Sequence, residues 1–93
     1  MEILFMTFKL RAPWCLSLKD KRSVVKAIMA GLKKQFNVSV CESGSQDATQ
    51  MIEISTAALA FDHAQGDSIA ENLINLVYRT ANAELYDVFK EYR

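Results

Sequence analysis

The sequence predicts an α+β domain in which two helices cover one face of an antiparallel sheet. Hydrophobic periods of two residues and of about 3.6 residues alternate along the chain, 51% of the 93 residues are hydrophobic, and Gly and Pro number only 3 and 1. A chain of this length has room for one core and too little material for a second. Residues 1–93 are therefore predicted to form a single domain, with any binding site on the surface or in a shallow groove.

The first part of the chain predicts a strand, a helix and a second strand. Residues 2–10 alternate at period two and place four apolar side chains on one face: Leu4, Met6, Phe8 and Leu10. Ser17 is the predicted N-cap of a helix that begins at Leu18 and ends near Gln35. Residues 36–42 alternate again and include β-branched side chains, which favours a strand.

The next segment predicts a hairpin loop and a third strand. Residues 43–50 are polar and turn-forming, and we expect Gly44 to be the residue with positive φ. Residues 51–61 follow as the third strand, although their alanines also favour a helix. The loop is longer than the tightest hairpin turns.

The last part predicts a second helix and a fourth strand. A short polar turn contains Gly66, after which Asp67 or Ser68 is expected to cap the helix. Its apolar positions recur at helical spacing: Ile69, Leu73, Leu76 and Val77. Residues 84–92 alternate weakly and predict the C-terminal strand.

This order of elements is the split βαβ pattern, and right-handed crossovers convert it into a ferredoxin-like βαββαβ sandwich. In that topology the start of the first helix lies beside the hairpin loop, so residues 11–22 and 42–50 are predicted to be neighbours. The outer sheet face carries Ile3 and Phe5, which are large and apolar. We therefore expect a homo-oligomer that covers this face.

The formal net charge of zero conceals a division along the chain. Residues 1–35 carry eight basic and two acidic side chains, a net charge of +6, whereas residues 36–93 carry three basic and nine acidic side chains, a net charge of −6. Such a distribution indicates an anionic partner on one side of the molecule.

The first helix concentrates the positive charge. At about 100° per residue, four cations fall within about 60° of one another on its surface: Lys19, Arg22, Lys26 and Lys33. The earliest of them lie near the positive end of the helix dipole, where a cation costs about 0.3–1 kcal/mol. Two interpretations stay open at this point, a solvated helix face and a set of phosphate contacts.

Lys21 differs from these cations because its position on the wheel is the centre of the apolar face. Its stem can pack while its ammonium group reaches outward. The structural interpretation is an ion pair with Glu42 or Asp47 of the neighbouring loop. The functional alternative is a polar cluster with Arg22, Gln46 and Asp47 that holds a small anionic ligand.

Catalytic and metal-binding patterns are weak. Cys15 and Cys41 are expected to be free thiols, and they are too few for a closed zinc site. His63 has no evident nucleophile to activate. Neither a cofactor motif nor the aromatic signature of RNA-recognition sheets is present, so a binding role is favoured over an enzymatic one.

Targeting signals are equally weak in this sequence. The N-terminal segment carries Glu2 and lacks a basic region, which does not resemble a secretory signal. No apolar run approaches the roughly 18 residues of a membrane span. A cytoplasmic protein is therefore expected.

Residues 17–42, SLKDKRSVVKAIMAGLKKQFNVSVCE, closely resemble the YlxP-like family of small bacterial proteins. The family pattern is a helix start of the type SLKEKR that runs into FNVSV. Gln46 and Asp47 match its Gln-Asp pair in the hairpin loop, and Pro13 matches a proline before the helix. The resemblance covers nearly the whole chain and departs from the family at Trp14, where relatives have a small residue.

This resemblance implies a ferredoxin-like fold and no established enzymatic activity. The relatives look like proteins that accompany translation-initiation and ribosome-maturation proteins, and this resemblance implies an association with RNA or the ribosome. The family motif carries over onto five positions, with Asp20 in place of its Glu: Ser17, Leu18, Lys19, Lys21 and Arg22.

Together, the residues and the resemblance predict a non-enzymatic module that binds RNA or a ribosomal particle through its basic first helix. The predicted contacts are Lys19, Lys21, Arg22, Lys26 and Lys33, without a metal or cofactor. The alternatives are a binder of, or an enzyme on, a small anionic ligand, and an oligomerising scaffold.

Overall fold

A computed structural model describes residues 1–80 and 82–93. Its elements follow the predicted order, strand, helix, strand, strand, helix, strand: β1 (Glu2–Arg11), α1 (Leu18–Gln35), β2 (Ser39–Gly44), β3 (Met51–Ala60), α2 (His63–Thr80) and β4 (Glu84–Tyr92). Neither helix in this described part combines the length and the apolar character needed to cross a membrane.

The strands form one sheet in the order β2-β3-β1-β4, and every neighbouring pair is antiparallel. This arrangement confirms the ferredoxin-like α+β prediction. Both helices pack on the same face, so β2 and β4 are the sheet edges and the opposite face of the sheet is left without a helical layer.

The core lies between the sheet and the helices. The predicted inward face of β1 is fully buried at Leu4, Met6, Phe8 and Leu10. The helices meet it with a stripe of aliphatic side chains from α1 and α2: Val25, Ile28, Leu32, Leu73, Leu76 and Val77. Period two on the strand and period 3.6 on the helices thus converge on one apolar layer.

The second helix begins earlier than the sequence indicates. Asp62 caps it, because its Oδ1 accepts a hydrogen bond from the Gln65 backbone N–H at 2.8 Å. The prediction of a cap at Asp67 or Ser68 is wrong, because Gly66 lies inside the helix rather than in a turn. A Cβ on Gly66 would lie 2.5 Å from the Tyr92 ring, so the glycine makes room for β4 to pack against the helix.

The second strand is shifted towards the loop relative to its prediction. Residues 36–42 were expected, but Phe36 is the C-cap of α1 and its N–H still bonds to the Leu32 carbonyl. Strand pairing begins at Ser39 and contains a bulge between Glu42 and Gly44. The apolar and polar side chains that alternate before Ser39 belong to a connecting segment, in which Phe36 and Val38 are partly buried.

Gly44 does not have the predicted positive φ. Within the described residues, that conformation belongs to Ser45, with φ of 56°. The glycine serves another purpose, since a Cβ at Gly44 would lie 2.5 Å from the Glu53 carboxylate on the neighbouring strand.

Candidate functional site

The start of α1 and the hairpin loop form one end of the molecule, as predicted. Ser17 Oγ accepts from the Asp20 N–H at 3.2 Å, and Asp20 Oδ2 accepts from the Leu16 N–H at 3.0 Å. Gln50 Nε2 donates to the Pro13 carbonyl at 3.0 Å. The helix cap and the loop are therefore tied to the same short segment after β1.

Lys21 is the buried cation of this end, with 2% of its surface exposed. Its Nζ lies 3.2 Å from Glu42 Oε2 and donates to the backbone carbonyls of Ala48, at 2.8 Å, and Ser45. A lysine ammonium has three N–H donors, and these contacts supply three acceptors. The predicted ion pair is present with Glu42 as its acid, although Glu42 lies in β2 and the loop itself contributes only backbone carbonyls.

The loop pair does not join Lys21. Gln46 Nε2 donates back to the Glu42 carbonyl at 3.2 Å, and Asp47 is exposed. In the described part of the chain the Asp47 carboxylate forms no ion pair. The arrangement gives no support to a ligand cluster of Lys21, Arg22, Gln46 and Asp47, because Lys21 has no donor left for an anion.

Replacing Asp47 by alanine is expected to leave the melting temperature essentially unchanged, because the loop is held through Lys21 and backbone carbonyls. Surface substitutions of this kind usually change the free energy of unfolding by about 0.5 kcal/mol or less. Thermal unfolding followed by circular dichroism measures it. A drop comparable to that of a core substitution would show that Asp47 supports the loop.

Five cations of α1 are exposed, and besides Lys34 they share one side of the helix: Lys19, Arg22, Lys26 and Lys33. We call this set the basic row. All four are exposed, and within residues 1–80 and 82–93 none forms an ion pair. From Lys19 to Lys33 the row extends about 21 Å at 1.5 Å per helical residue.

The basic row lies on the side of α1 that faces away from α2. The α2 side is identified by Gly31, where a Cβ would lie 3.5 Å from Leu76 Cδ2, and by Ala27, which lines a hollow of about 210 Å³ together with Thr80. Since β2 is the sheet edge nearest α1, the row runs beside that edge with open solvent around it.

Several cations outside the row have acidic partners. Lys90 Nζ lies 3.0 Å from Asp67 Oδ1, Arg93 Nε lies 2.8 Å from Glu91 Oε2, and Arg11 lies 3.6 Å from Glu84. In contrast, Asp20 is the one acid in the α1 sequence, and its carboxylate caps the Leu16 N–H. Positive charge is thus paired with acids at the β4 edge, whereas the basic row has no such partner among the described residues.

A second polar cluster, which the sequence did not indicate, joins α2 to β4. Tyr92 OH donates its one proton to Asp67 Oδ1 at 2.5 Å, and the same oxygen lies 3.2 Å from the His63 carbonyl. The bonds from Tyr92 and Lys90 lower the pKa of Asp67. Burial, together with the Asp67 carboxylate, raises the pKa of Tyr92 to about 12. Tyr92 and Asp67 lie 25 residues apart in the chain, so no local sequence pattern could have revealed this cluster. It anchors β4 to α2.

The nucleophile and base candidates lack catalytic geometry. Cys15 is buried, and this burial, with the nearby Asp20 carboxylate, raises the pKa of its thiol, which disfavours the reactive thiolate. His63 is stacked on Tyr92 at 4.3 Å and lies 3.6 Å from Glu2 Oε1. The described residues contain no group of three metal-ligating side chains.

Comparisons with known proteins agree with the fold and leave the function open. Residues 3–89 match the family described as "Protein of unknown function (DUF503)". The chain is 33% identical over 61 residues to "Uncharacterized protein YlxP" of Bacillus subtilis (strain 168), and the match covers 66% of each chain, slightly less than two thirds of that relative. Among solved structures, "De novo designed protein Foldit4" is similar with a TM-score of 0.52 at 12% identity, covering 99% of this chain and 94% of the other. This last likeness concerns the fold alone.

Proposed function

Because this chain belongs to the family described as "Protein of unknown function (DUF503)", we propose a function from its own surface: it is a cytoplasmic, non-enzymatic module that binds RNA or a ribosomal particle through the basic row. The observation that carries this proposal is the set of exposed α1 cations that lack acidic partners within the described residues. Its YlxP-like sequence motif includes two members of the row, Lys19 and Arg22.

The position of the row within the helix supports an anionic partner. Lys19 lies in the first turn of α1, where the helix dipole repels a cation at a cost of about 0.3–1 kcal/mol, and Arg22 follows at the start of the second turn. A phosphate group placed there would be attracted by the dipole and by the side chains together. Binding would therefore relieve an electrostatic conflict that exists in the free protein.

The spacing of the row suits a polymer better than a small ion. Its cations extend over about 21 Å along a straight helix, farther than one small anion can contact at once. A nucleic acid backbone repeats its charges along such a line, and each neutralised phosphate adds affinity by releasing counterions. The β4 edge, where cations and acids are paired, would face away from the nucleic acid, and this charge asymmetry would orient the protein as it approaches.

The test is a titration of fluorescent RNA at several salt concentrations. For four phosphate contacts we expect a slope of log K against log salt of about −3 to −4. Replacing Lys19 and Lys26 by glutamine should flatten the slope by about two units on duplex RNA and by less on a single strand. Circular dichroism verifies that both proteins are folded.

A matched control carries the same change of net charge outside the row. Lys9→Gln combined with Arg79→Gln removes two cations from the outer sheet face and from α2. This control should retain nearly the full slope. Absence of binding at low salt, or equal slopes for the two double variants, would contradict the proposal.

A second candidate function, self-association, is favoured by the outer sheet face. Ile3, Leu59 and Phe89 are 43%, 65% and 50% exposed on it, and Phe5 packs edge-on against Phe89 with ring centroids 6.3 Å apart. Exposed apolar side chains on adjacent strands mark an association surface. A flat sheet face is best covered by another flat sheet face, which makes a second copy of this chain the proposed partner.

A further inference from the structure

Trp14 is an exposed aromatic ring with a fixed position. It lies between β1 and α1, is 48% exposed, and donates its Nε1–H to the Asn82 carbonyl at 2.7 Å. Its neighbour Cys15 is fully buried and bonds through its N–H to the carbonyl of buried Ala12 at 3.0 Å. The ring is thus presented from a turn that is anchored in the core.

The hydrogen bond leaves the exposed ring surface purely apolar. The single polar group of an indole is its N–H, and in Trp14 this group is already paired. An exposed, oriented indole face offers a large contact area at a small entropic cost, because the ring does not have to be ordered on binding. The natural ligand of such a surface is another flat π system.

The ring lies near the N-terminal end of the basic row but on the side of α1 that faces α2, because its partner Asn82 lines the same hollow as Ser23 of α1. Trp14 is five positions before Lys19 in the chain, so their Cα atoms are at most about 17 Å apart. A strand that leaves the row at Lys19 and crosses the N-terminus of α1 can therefore bring a nucleotide to the indole. Sequence-tolerant binding of single strands combines these two parts, a cationic track and an aromatic ring on which a base stacks.

We infer that Trp14 is a stacking site for an unpaired nucleobase and that the nucleic acid held by the basic row is single-stranded RNA. This inference rests on the proposed function and adds its substrate class. Bases inside a duplex are stacked on one another, so a duplex would contact the row and leave Trp14 unused.

The chain has one tryptophan, so its fluorescence reports on this position alone. Oligouridine of about ten nucleotides, a length typical of single-strand sites, is added to the full-length protein at low salt, and a blunt RNA duplex of equal length is added in parallel. We expect quenching of Trp14 emission by the single strand, with a midpoint that shifts with salt, and little change with the duplex.

Variants separate the ring from its hydrogen bond. Trp14→Leu should weaken the binding of labelled oligouridine about tenfold, the size of one lost base stack, while duplex affinity and the salt slope stay unchanged. Trp14→Phe keeps an aromatic ring without the N–H and should retain most of the affinity. Tyr78→Leu, which removes a 75% exposed aromatic from α2, should have no effect on binding.

The outcomes distinguish this inference from the proposed function. RNA binding that depends on Lys19 and Lys26, with unchanged Trp14 emission and full affinity in Trp14→Leu, would overturn the stacking site and leave the basic row intact. Loss of affinity in both Trp14→Leu and Trp14→Phe would assign the effect to the loop and also overturn it. Absence of any RNA binding at low salt would contradict both.

Discussion

Replacing Lys21 by methionine is expected to lower the free energy of unfolding by about 3 kcal/mol, the lower part of the range for breaking a buried ion pair. The lower part applies because Glu42 keeps 24% of its side chain exposed and can be partly hydrated. The variant also removes the Lys21 donor from the Ala48 carbonyl and from the Ser45 carbonyl, which keeps only its bond from the Ala48 N–H. In a domain of this size the melting temperature should fall by roughly 12–24 °C.

The measurement is denaturant unfolding of Lys21→Met beside Lys26→Met, which makes the same replacement at an exposed position of the same helix. The control should change stability by about 0.5 kcal/mol or less. Adding Glu42→Leu to Lys21→Met removes the unpaired carboxylate and should recover part of the loss. Equal stability of the two single variants would show that Lys21 does not hold the loop.

Lys21 also shows what the sequence could and could not predict about this end. Its place on the apolar face follows from the helical period, which needs only the spacing of Val25, Ile28 and Leu32. The choice of Glu42 over Asp47 depends on the bulge in β2 and on the left-handed conformation of Ser45. Neither feature has a signal in a single sequence, because both arise from how two strands meet.

The errors at α2 have a similar origin. Gly66 reads as a turn residue because glycine is costly inside a helix. Its presence there is explained by Tyr92, which is 26 positions away in the chain and occupies the space of the missing Cβ. Asp62, by contrast, has a local signal, because Asp is a favoured N-cap residue. The predicted cap lies after Gly66 instead, at Asp67 or Ser68.

In the candidate site, too, the sequence predicts the features of a single element and misses those that depend on distant contacts. The basic row could be predicted because it depends on the period of a single helix. The orientation of Trp14 could not, since its hydrogen bond reaches Asn82, 68 residues further along the chain. Local periodicity therefore predicts where charge lies on an element, and tertiary contacts decide which neighbouring groups are held rigidly beside it.

Substitutions on the outer sheet face are expected to change the molecular mass of the protein in solution. We expect the protein to sediment as a dimer at high concentration, because pairing two copies through this face removes Ile3, Leu59 and Phe89 from water. Leu59→Glu combined with Phe89→Glu should give a monomer, since each interface would then have to bury unpaired carboxylates.

Sedimentation equilibrium over a range of protein concentrations measures this mass, and the control is Ala64→Glu combined with Asn72→Glu. These positions are exposed on α2, so the control adds the same charge to the opposite side of the molecule and should still dimerise. The basic row lies on the helical side of the sheet, so the monomeric variant should bind RNA with nearly the wild-type salt slope. A wild-type protein that stays strictly monomeric at high concentration would exclude the outer face as a contact between copies.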